Sequence, residues 1–296
     1  MNGVLVVDKP AGLTSHDVVA RVRRILGERS VGHLGTLDPM ATGVLPLLIG
    51  RMTRLAQFYQ GCEKTYEGEI RFGFATDTYD AEGEPTGPTV DWHGTLEQVR
   101  EAARRFVGFI EQVPPPFSAK KIAGVPAYKL AREQKPVELK PVTVDIRELE
   151  ITGVEDDRAS FRARVTSGTY LRSVAHDLGK DLGVGGHLAR LRRTSVGEFG
   201  MKEARTLERL EEASTAGEVE NVMIHPRRIL PQFPCVTANG ESATRIRHGN
   251  AANLPEMSKA KQVKVFAGQS QLIAIATRVA GTLFHPKVVL VGGEQG

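Results

Sequence analysis

One segment, residues 31–45, constrains the fold of this chain more than any other stretch. It reads VGHLGTLDPMATGVL and places three glycines within twelve residues, around the single aspartate Asp38. The glycines let the backbone turn sharply and approach a ligand closely, and Pro39 biases Asp38 away from helical angles. An apolar run follows at residues 44–49 and is typical of a buried strand. The pattern predicts a carboxylate on a rigid loop beside a core strand, where it can act as nucleophile or general base.

A purely structural role for Asp38 is also compatible with this spacing. Aspartate before proline is a common turn residue, and most such aspartates cap or turn the chain and do nothing else. Short motifs of this kind have a high false-positive rate. The spacing alone therefore leaves both interpretations open.

Length and composition predict an enzyme of two domains that acts in the cytoplasm. The chain has 296 residues, beyond the usual size of one domain. No apolar run is long enough to span a bilayer, and the start MNGVLVVDKP lacks the features of a signal peptide. The two cysteines, Cys62 and Cys235, have no partners at metal-ligand spacing, so we expect neither a zinc site nor a disulfide framework. The net charge of +4 and a pI near 9.1 suit an acidic partner such as RNA.

Hydrophobic periodicity predicts a mixture of strands and helices over most of the chain. A linker rich in proline is expected at residues 213–234, before a small β-rich second domain. We expect strands at residues 3–7, 44–49, 64–73, 142–151, 159–165 and 187–199, and helices at residues 14–26, 53–60, 95–106 and 169–182.

Residues 166–172, TSGTYLR, place an arginine near the start of a predicted helix. A surface arginine there would contribute little to stability. The functional hypothesis pairs Arg172 with Asp38, because an arginine beside a partly buried carboxylate stabilises its ionised form and lowers its pKa. The same planar fork can orient the carboxylate and contact phosphate.

Several separated motifs resemble the bacterial tRNA pseudouridine synthase B family. The loop strings GHLGTLDP and ATGVL closely resemble the signature loop of that family, and TSGTYLR resembles a second family segment. PFSAKK, at residues 116–121, resembles a third, with Phe117 in place of the family tyrosine. RIRHG, at residues 245–249, resembles a PUA-type RNA-binding domain.

The resemblance assigns roles to individual residues. It implies that Asp38 is the catalytic aspartate, that His33 stacks on a nucleobase, and that Tyr66 packs against the target base and takes part in proton transfer. It also implies that Tyr170 contacts the substrate and that Arg172 belongs to the site.

Further candidate residues lie in two basic segments. Leu191 in LARLRR matches a family leucine that lines the uridine pocket, and three arginines in four residues indicate a phosphate-facing edge that includes Arg193. Residues 118–140 carry six basic residues, among them Lys121, against two glutamates, and are expected to close over bound RNA.

The resemblance implies an α+β pseudouridine synthase fold. We expect a mixed, mostly antiparallel sheet with flanking helices at residues 1–230, and a small β-barrel-like PUA-type RNA-binding domain at residues 232–296. The implied activity is isomerisation of uridine to pseudouridine at position 55 in the T-loop of tRNA. It would require base flipping but no metal or other cofactor. A monomer without protein partners is expected.

Two other functional classes compete with this interpretation. A non-catalytic tRNA-binding or RNA-folding protein would have no reason to hold Asp38 towards phosphates, which it would repel. A hydrolase with a carboxylate nucleophile, such as a glycosidase, would need a second paired carboxylate. Asp77 and Asp80 are the available acids, and their sequence context is that of turn formers.

Overall fold

The computed structural model describes residues 1–117, 121–122, 125–126 and 139–291. Two sheets, a short two-stranded ribbon and five α-helices make up this part of the chain. The strands are β1 (Gly3–Lys9), β2 (Val31–His33), β3 (Thr42–Ile49), β4 (Lys64–Phe72), β5 (Gly108–Gln112), β6 (Lys121–Ile122), β7 (Val125–Pro126), β8 (Val142–Glu155), β9 (Arg158–Val165), β10 (Gly186–Val196), β11 (Phe199–Gly200), β12 (Cys235–Thr237), β13 (Ala252–Asn253), β14 (Gln262–Ala267), β15 (Gln271–Ala280) and β16 (Leu283–Val289). The helices are α1 (Ser15–Leu26), α2 (Leu96–Arg104), α3 (Leu171–Asp181), α4 (Leu207–Thr215) and α5 (Gly240–Arg247), with 3₁₀ turns at Gly50–Phe58, Met201–Glu203 and Val219–Val222.

The first sheet is mixed and mostly antiparallel, as the sequence predicts. Its strands run in the order β1-β3-β10-β4-β9-β8-β5, with β2 paired to β3 and β11 to β10. Only the β3–β10 pair is parallel among the described strands of this sheet. It brings the strand after Asp38 next to the strand that carries Leu191. The site residues predicted from distant parts of the sequence therefore meet at the centre of this sheet.

Helix α1 forms where the sequence predicts a helix, and its capping interactions and buried face explain why. The side chain of Thr14 accepts a hydrogen bond from the backbone of Asp17, whose carboxylate accepts one in return, which forms a capping box. Val18 and Val22 are buried on one face, and Gly27 ends the helix in the left-handed conformation.

Residues 53–60 do not form the predicted α-helix. Residues 53–58 belong to the 3₁₀ turn Gly50–Phe58, in which the Thr53 hydroxyl bonds to the carbonyl of Gly50 and the Gln57 amide to that of Arg54, each three residues back. Polar side chains that bond to the local backbone in this way favour short, tight turns over a regular helix. The predicted strand at 187–199 also ends early, because Gly197, at a φ of 52°, turns the chain into β11.

The C-terminal sheet shares a hydrophobic core with the first sheet. Its five strands run in the order β12-β14-β15-β16-β13, and α5 covers one face. From the other face, Phe266 and Ile275 pack in one cluster with Val4 and Leu48 of the first sheet. The expected linker is built into this contact, since its first three residues are the end of α4 and Leu230 is buried in the same cluster. The division of the chain into two domains near residue 231 therefore stays a prediction.

No helix among the described residues is both long and apolar enough to cross a bilayer.

The shared core predicts that the two sheets unfold together. Ile275→Ala should lower the free energy of unfolding by about 2–5 kcal/mol, as expected for a large-to-small change in a packed core. Val279 is on the same strand but is 61% exposed, so Val279→Ala should change stability by less than about 0.5 kcal/mol. Thermal and denaturant unfolding followed by circular dichroism measures both variants. Two separate unfolding transitions in the wild-type chain would contradict the shared core.

Candidate active site

Asp38 lies in the loop that connects β2 to β3. Gly43 begins the return of this loop into the sheet with a φ of 101°, which residues with side chains rarely adopt. A Cβ atom on Gly43 would lie 2.2 Å from the carbonyl oxygen of Arg193 on the neighbouring strand β10. This glycine allows the loop to approach β10 closely.

Buried polar side chains from three other elements hold the backbone of the Asp38 loop. The hydroxyl of Ser15, at the start of α1, bonds to both the amide and the carbonyl of Leu37. The guanidinium of Arg193 donates to the carbonyls of Gly35, Thr36 and Val44 at 3.0, 3.3 and 2.8 Å. Arg193 has no exposed surface, so its role in this structure is to bind the loop.

Lys9 makes the third buried attachment to the same loop. Its Nζ donates to the carbonyls of Pro10, Leu13 and Pro39, which ties the end of β1 to the residue after Asp38. Burial lowers the pKa of Lys9 to about 8, although the nearby Asp38 carboxylate opposes this shift. Lys9 therefore places a titratable cation close to the Asp38 carboxylate.

Two nitrogen atoms of the Arg172 guanidinium contact the carboxylate of Asp38. Its Nε lies 2.9 Å from Oδ2 of Asp38, and its Nη2 donates to Oδ1 at 3.1 Å. The same guanidinium contacts a second carboxylate, Asp80, where Nη1 lies 3.3 Å from Oδ2. It also donates to the carbonyls of Thr78 and Phe117. These contacts fix the plane of the guanidinium and, with it, the orientation of the Asp38 carboxylate.

The pKa of Asp38 is raised, in contrast to the lowering expected from its pairing with Arg172. Burial is the largest cause, because it disfavours the charged form, and the negative charge of Asp80 adds to it. The charge and hydrogen bond of Arg172 oppose these effects but do not outweigh them. The side chain of Asp38 is nevertheless 36% exposed, so a reactant can reach the carboxylate.

A cavity of about 230 Å³ opens beside Asp38. Tyr66 from β4 and Leu191 from β10 form part of its wall, and Arg172 lies at its edge with Asp38. Lys64 brings a positive charge to the same cavity, although burial and the nearby Arg193 lower the pKa of this lysine. The cavity thus combines an apolar wall with one carboxylate and two cations.

Tyr170 lines the cavity from the residue before α3. Its backbone amide donates to the side-chain oxygen of Gln112 in β5 at 2.8 Å, and the Gln112 amide donates back to its carbonyl at 3.1 Å. Ser173 adds a hydrogen bond to the carbonyl of Val113. Helix α3 is therefore attached to the edge strand of the sheet at the end that presents Arg172.

Comparisons with known proteins identify the family. The family model for TruB family pseudouridylate synthase (N terminal domain) matches residues 23–171, and that for the tRNA pseudouridylate synthase B C-terminal domain matches residues 172–231. The chain belongs to the TruB family of tRNA pseudouridine synthases, which are isomerases.

TruB relatives match the chain over nearly its whole length. The tRNA pseudouridine synthase B of Solibacter usitatus is 47% identical over 98% of this chain and 100% of its own length. That of Thermobifida fusca is 44% identical over 98% of this chain and 99% of its own. The solved Cbf5-Nop10-Gar1 complex contains a chain with the same fold, at 24% identity and a TM-score of 0.71, covering 98% of this chain and 85% of that one. The predicted α+β fold class is confirmed.

The structure brings together most, but not all, of the site residues expected for a TruB chain. Asp38, Tyr66, Tyr170, Arg172 and Leu191 line one cavity. The structure does not place His33 in the cavity wall. Its ring meets that of His16 edge-on, at 5.6 Å between centroids. The predicted stacking of a base on His33 stays a prediction and concerns a position outside this cavity.

The structure describes the side chain of Arg193 but not that of Lys121, the two basic residues predicted to contact RNA. Arg193 does not lie on the expected phosphate-facing edge, because its side chain is buried and donates to loop carbonyls. RNA binding by Arg193 stays a prediction that this geometry does not favour. The alternation of strand residues could have indicated this burial, since Arg193 shares a face of β10 with Leu191. The side chain of Lys121 and most of the basic segment 118–140 lie outside the described residues.

The sequence analysis did not assign three residues to the site, which are Asp80, Lys9 and Lys64. Asp80 does accept a turn hydrogen bond, from the amide of Glu82, so its turn pattern is real. The pattern gives no sign of the second role, the contact with Arg172. Over the part of the chain that the structure describes, no cluster of His, Cys, Asp or Glu has the arrangement of a metal site. The expected absence of a cofactor stays a prediction.

The contacts of Arg193 predict a structural role for this residue. Arg193→Met should lower the free energy of unfolding by at least about 2 kcal/mol, because each buried carbonyl left without a donor costs about 1–3 kcal/mol. Arg190 on the same strand has a side chain that is 75% exposed, and Arg190→Met should leave stability almost unchanged. Denaturant unfolding compares the two. Equal, small effects would show that Arg193 does not support the loop.

Proposed function

We propose that this chain converts uridine to pseudouridine at position 55 in the T-loop of tRNA, with Asp38 as the catalytic group. The observation that carries the proposal is the carboxylate held by Arg172 at the edge of a cavity lined by Tyr66 and Leu191. A carboxylate in this setting can attack C1′ of the sugar, attack C6 of the uracil, or remove a proton. Each of these routes requires the ionised form of Asp38, which the guanidinium of Arg172 stabilises.

The substrate nucleotide would enter the cavity by base flipping. A base in a folded RNA loop is not accessible to a recessed carboxylate, so it must leave its stack. The ring of Tyr66 and the side chain of Leu191 offer apolar contacts that offset part of the unstacking free energy. Lys64 would bring positive charge near the flanking phosphate. Because isomerisation leaves the atoms and electrons of the nucleotide unchanged in number, the overall reaction consumes no oxidant, reductant or group donor.

The remaining parts of the chain would bind the tRNA outside the cavity. We assign residues 232–296 to RNA positioning, with Arg245 and Arg247 near the end of α5 as basic contacts. The basic segment 118–140 is proposed to cover the RNA after docking. The expected cytoplasmic location and monomeric state stay predictions.

The geometry does not favour a hydrolase with two paired carboxylates. Asp80 and Glu82 are further acids near Asp38, but neither is among the residues that line the cavity, and Asp80 contacts the same guanidinium. Two carboxylates that act on one glycosidic bond need to face the substrate from both sides.

Removal of the Asp38 charge tests the catalytic assignment. Asp38→Asn keeps the shape of the side chain but removes the ionised form, so pseudouridine formation should fall to background while tRNA affinity stays within about threefold. Single-turnover assays with unmodified tRNA and filter binding measure the two quantities. A non-catalytic RNA-binding protein would show no pseudouridine with the wild-type chain either. Substantial turnover by Asp38→Asn would exclude Asp38 as the catalytic group.

The raised pKa of Asp38 predicts the acid limb of the rate–pH profile. As the pH falls through this raised pKa, the carboxylate binds a proton and loses its reactivity. The single-turnover rate should therefore fall at a higher pH than the value of about 3.9 for a solvated aspartate. The tRNA dissociation constant is measured at each pH to separate binding from chemistry. A rate that stays constant down to the ordinary aspartate range would contradict the effect of burial.

A further inference from the structure

Two aromatic side chains stack between helix α3, which carries Arg172, and the loop that Arg172 contacts. The rings of Tyr79 and His176 lie 3.8 Å apart between centroids and within 13° of parallel. His176 is four residues after Arg172 on α3, so it lies one helical turn further along the same helix. Tyr79 belongs to the loop that contains Asp80. The stack therefore joins the helix that carries Arg172 to the loop that receives its hydrogen bonds.

Tyr79 occupies a backbone conformation that a tyrosine does not normally adopt. Its φ is 65°, in the left-handed region. For a bulky residue this conformation is strained and persists only where the surrounding contacts hold it. The stack with His176 is one such contact, and the hydrogen bond from the amide of Leu188 to the carbonyl of Tyr79 is another.

Both residues that flank Tyr79 bind Arg172. Nη1 of Arg172 donates to the carbonyl of Thr78 at 3.1 Å and lies 3.3 Å from Oδ2 of Asp80. The Thr78 hydroxyl in turn donates to the other carboxylate oxygen of Asp80. Because Tyr79 stands between these two residues, a change in its backbone conformation moves both acceptors at once.

The ring of His176 is held by stacking. Its Nδ1 atom is buried and has no hydrogen-bond partner among the described residues. Burial lowers the pKa of His176, and the charge of Lys180 lowers it further, which favours the neutral ring. Tyr79 lies against this ring, and the pKa of Tyr79 is raised by burial and by the charge of Asp177. Burial also raises the pKa of Asp177, which follows His176 in the chain.

We propose that the Tyr79–His176 stack positions Arg172, and through Arg172 the Asp38 carboxylate, for the reaction. The inference rests on the proposed function, since it concerns the rate of that reaction. Tyr79 and His176 are positioning residues, because neither lines the cavity beside Asp38. They act by fixing the loop that holds two of the acceptors of the guanidinium.

Tyr79→Gly separates the stack from the backbone strain. Glycine adopts a positive φ without steric cost, so this variant can keep the loop conformation accessible and the chain folded while it lacks the ring. Its single-turnover rate of pseudouridine formation should fall about tenfold to a hundredfold, the range expected when a reacting group is misplaced. The tRNA dissociation constant should change less than about threefold, because Arg172 and the RNA-binding surface keep their charges. His176→Ala should give the same pattern.

Conservative variants and a remote aromatic pair serve as controls. Tyr79→Phe and His176→Phe keep a stacked ring and should keep at least about a third of the wild-type rate. Phe58 and Phe233 form another partly exposed ring pair, at 5.5 Å, far along the chain from Arg172. Phe233→Ala should lower the melting temperature without lowering the single-turnover rate of the folded enzyme. An equal rate loss in Phe233→Ala and Tyr79→Gly would show that the rate falls because the protein is destabilised in general. This result would overturn the proposal.

A double-mutant cycle with Arg172→Lys tests the route of the effect. If the stack acts through the guanidinium, Tyr79→Gly should reduce the rate much less in the Arg172→Lys background than in the wild type. Independent, multiplicative losses would show that the stack does not act through Arg172. A wild-type rate in both Tyr79→Gly and His176→Ala would overturn the inference and leave the proposed function intact. No pseudouridine with the wild-type chain would refute the proposed function, and the inference would fall with it.

Discussion

The site depends on an ion pair in surroundings that water reaches only in part. In the proposed reaction Asp38 must be charged, but its burial disfavours the charge. Arg172, whose side chain is only 6% exposed, offsets part of that penalty and fixes the direction of the carboxylate with two contacts. Asp80 shares the same guanidinium, so the net balance leaves the pKa of Asp38 above its ordinary value. The carboxylate is thus oriented, accessible and basic at the same time.

Two further cations stabilise the backbone around this pair. Lys9 and Arg193 are both fully buried, and each donates to three carbonyls. Four of these six carbonyls belong to the loop of residues 31–45. Loop carbonyls that approach a buried region need donors, and long cationic side chains can reach them from neighbouring strands. The stiffness of the Asp38 loop therefore comes from side chains that lie far away in the sequence.

Local patterns were sufficient for much of the fold. Helix α1 carries its own start and stop signals, and strand β3 is an apolar run after a glycine-rich loop. The prediction failed where local competition decided the outcome, as in the 3₁₀ turn at Gly50–Phe58. It also failed to anticipate that the C-terminal sheet contributes Phe266 and Ile275 to a core shared with β1. A sequence shows that a strand has an apolar face, but not which other face covers it.

The sequence by itself determined the chemistry available to this protein. It provides one aspartate in a rigid loop and one arginine at a helix start, and both lie in motifs that resemble the same family. The tertiary structure decided how that chemistry is arranged. Asp38 and Arg172 lie 134 residues apart, and only the sheet topology brings them into contact. Strand register turned Arg193 inward and left Arg190 outside. Charge type and turn preference are properties of single residues and short segments, whereas burial and pairing arise only when distant segments pack.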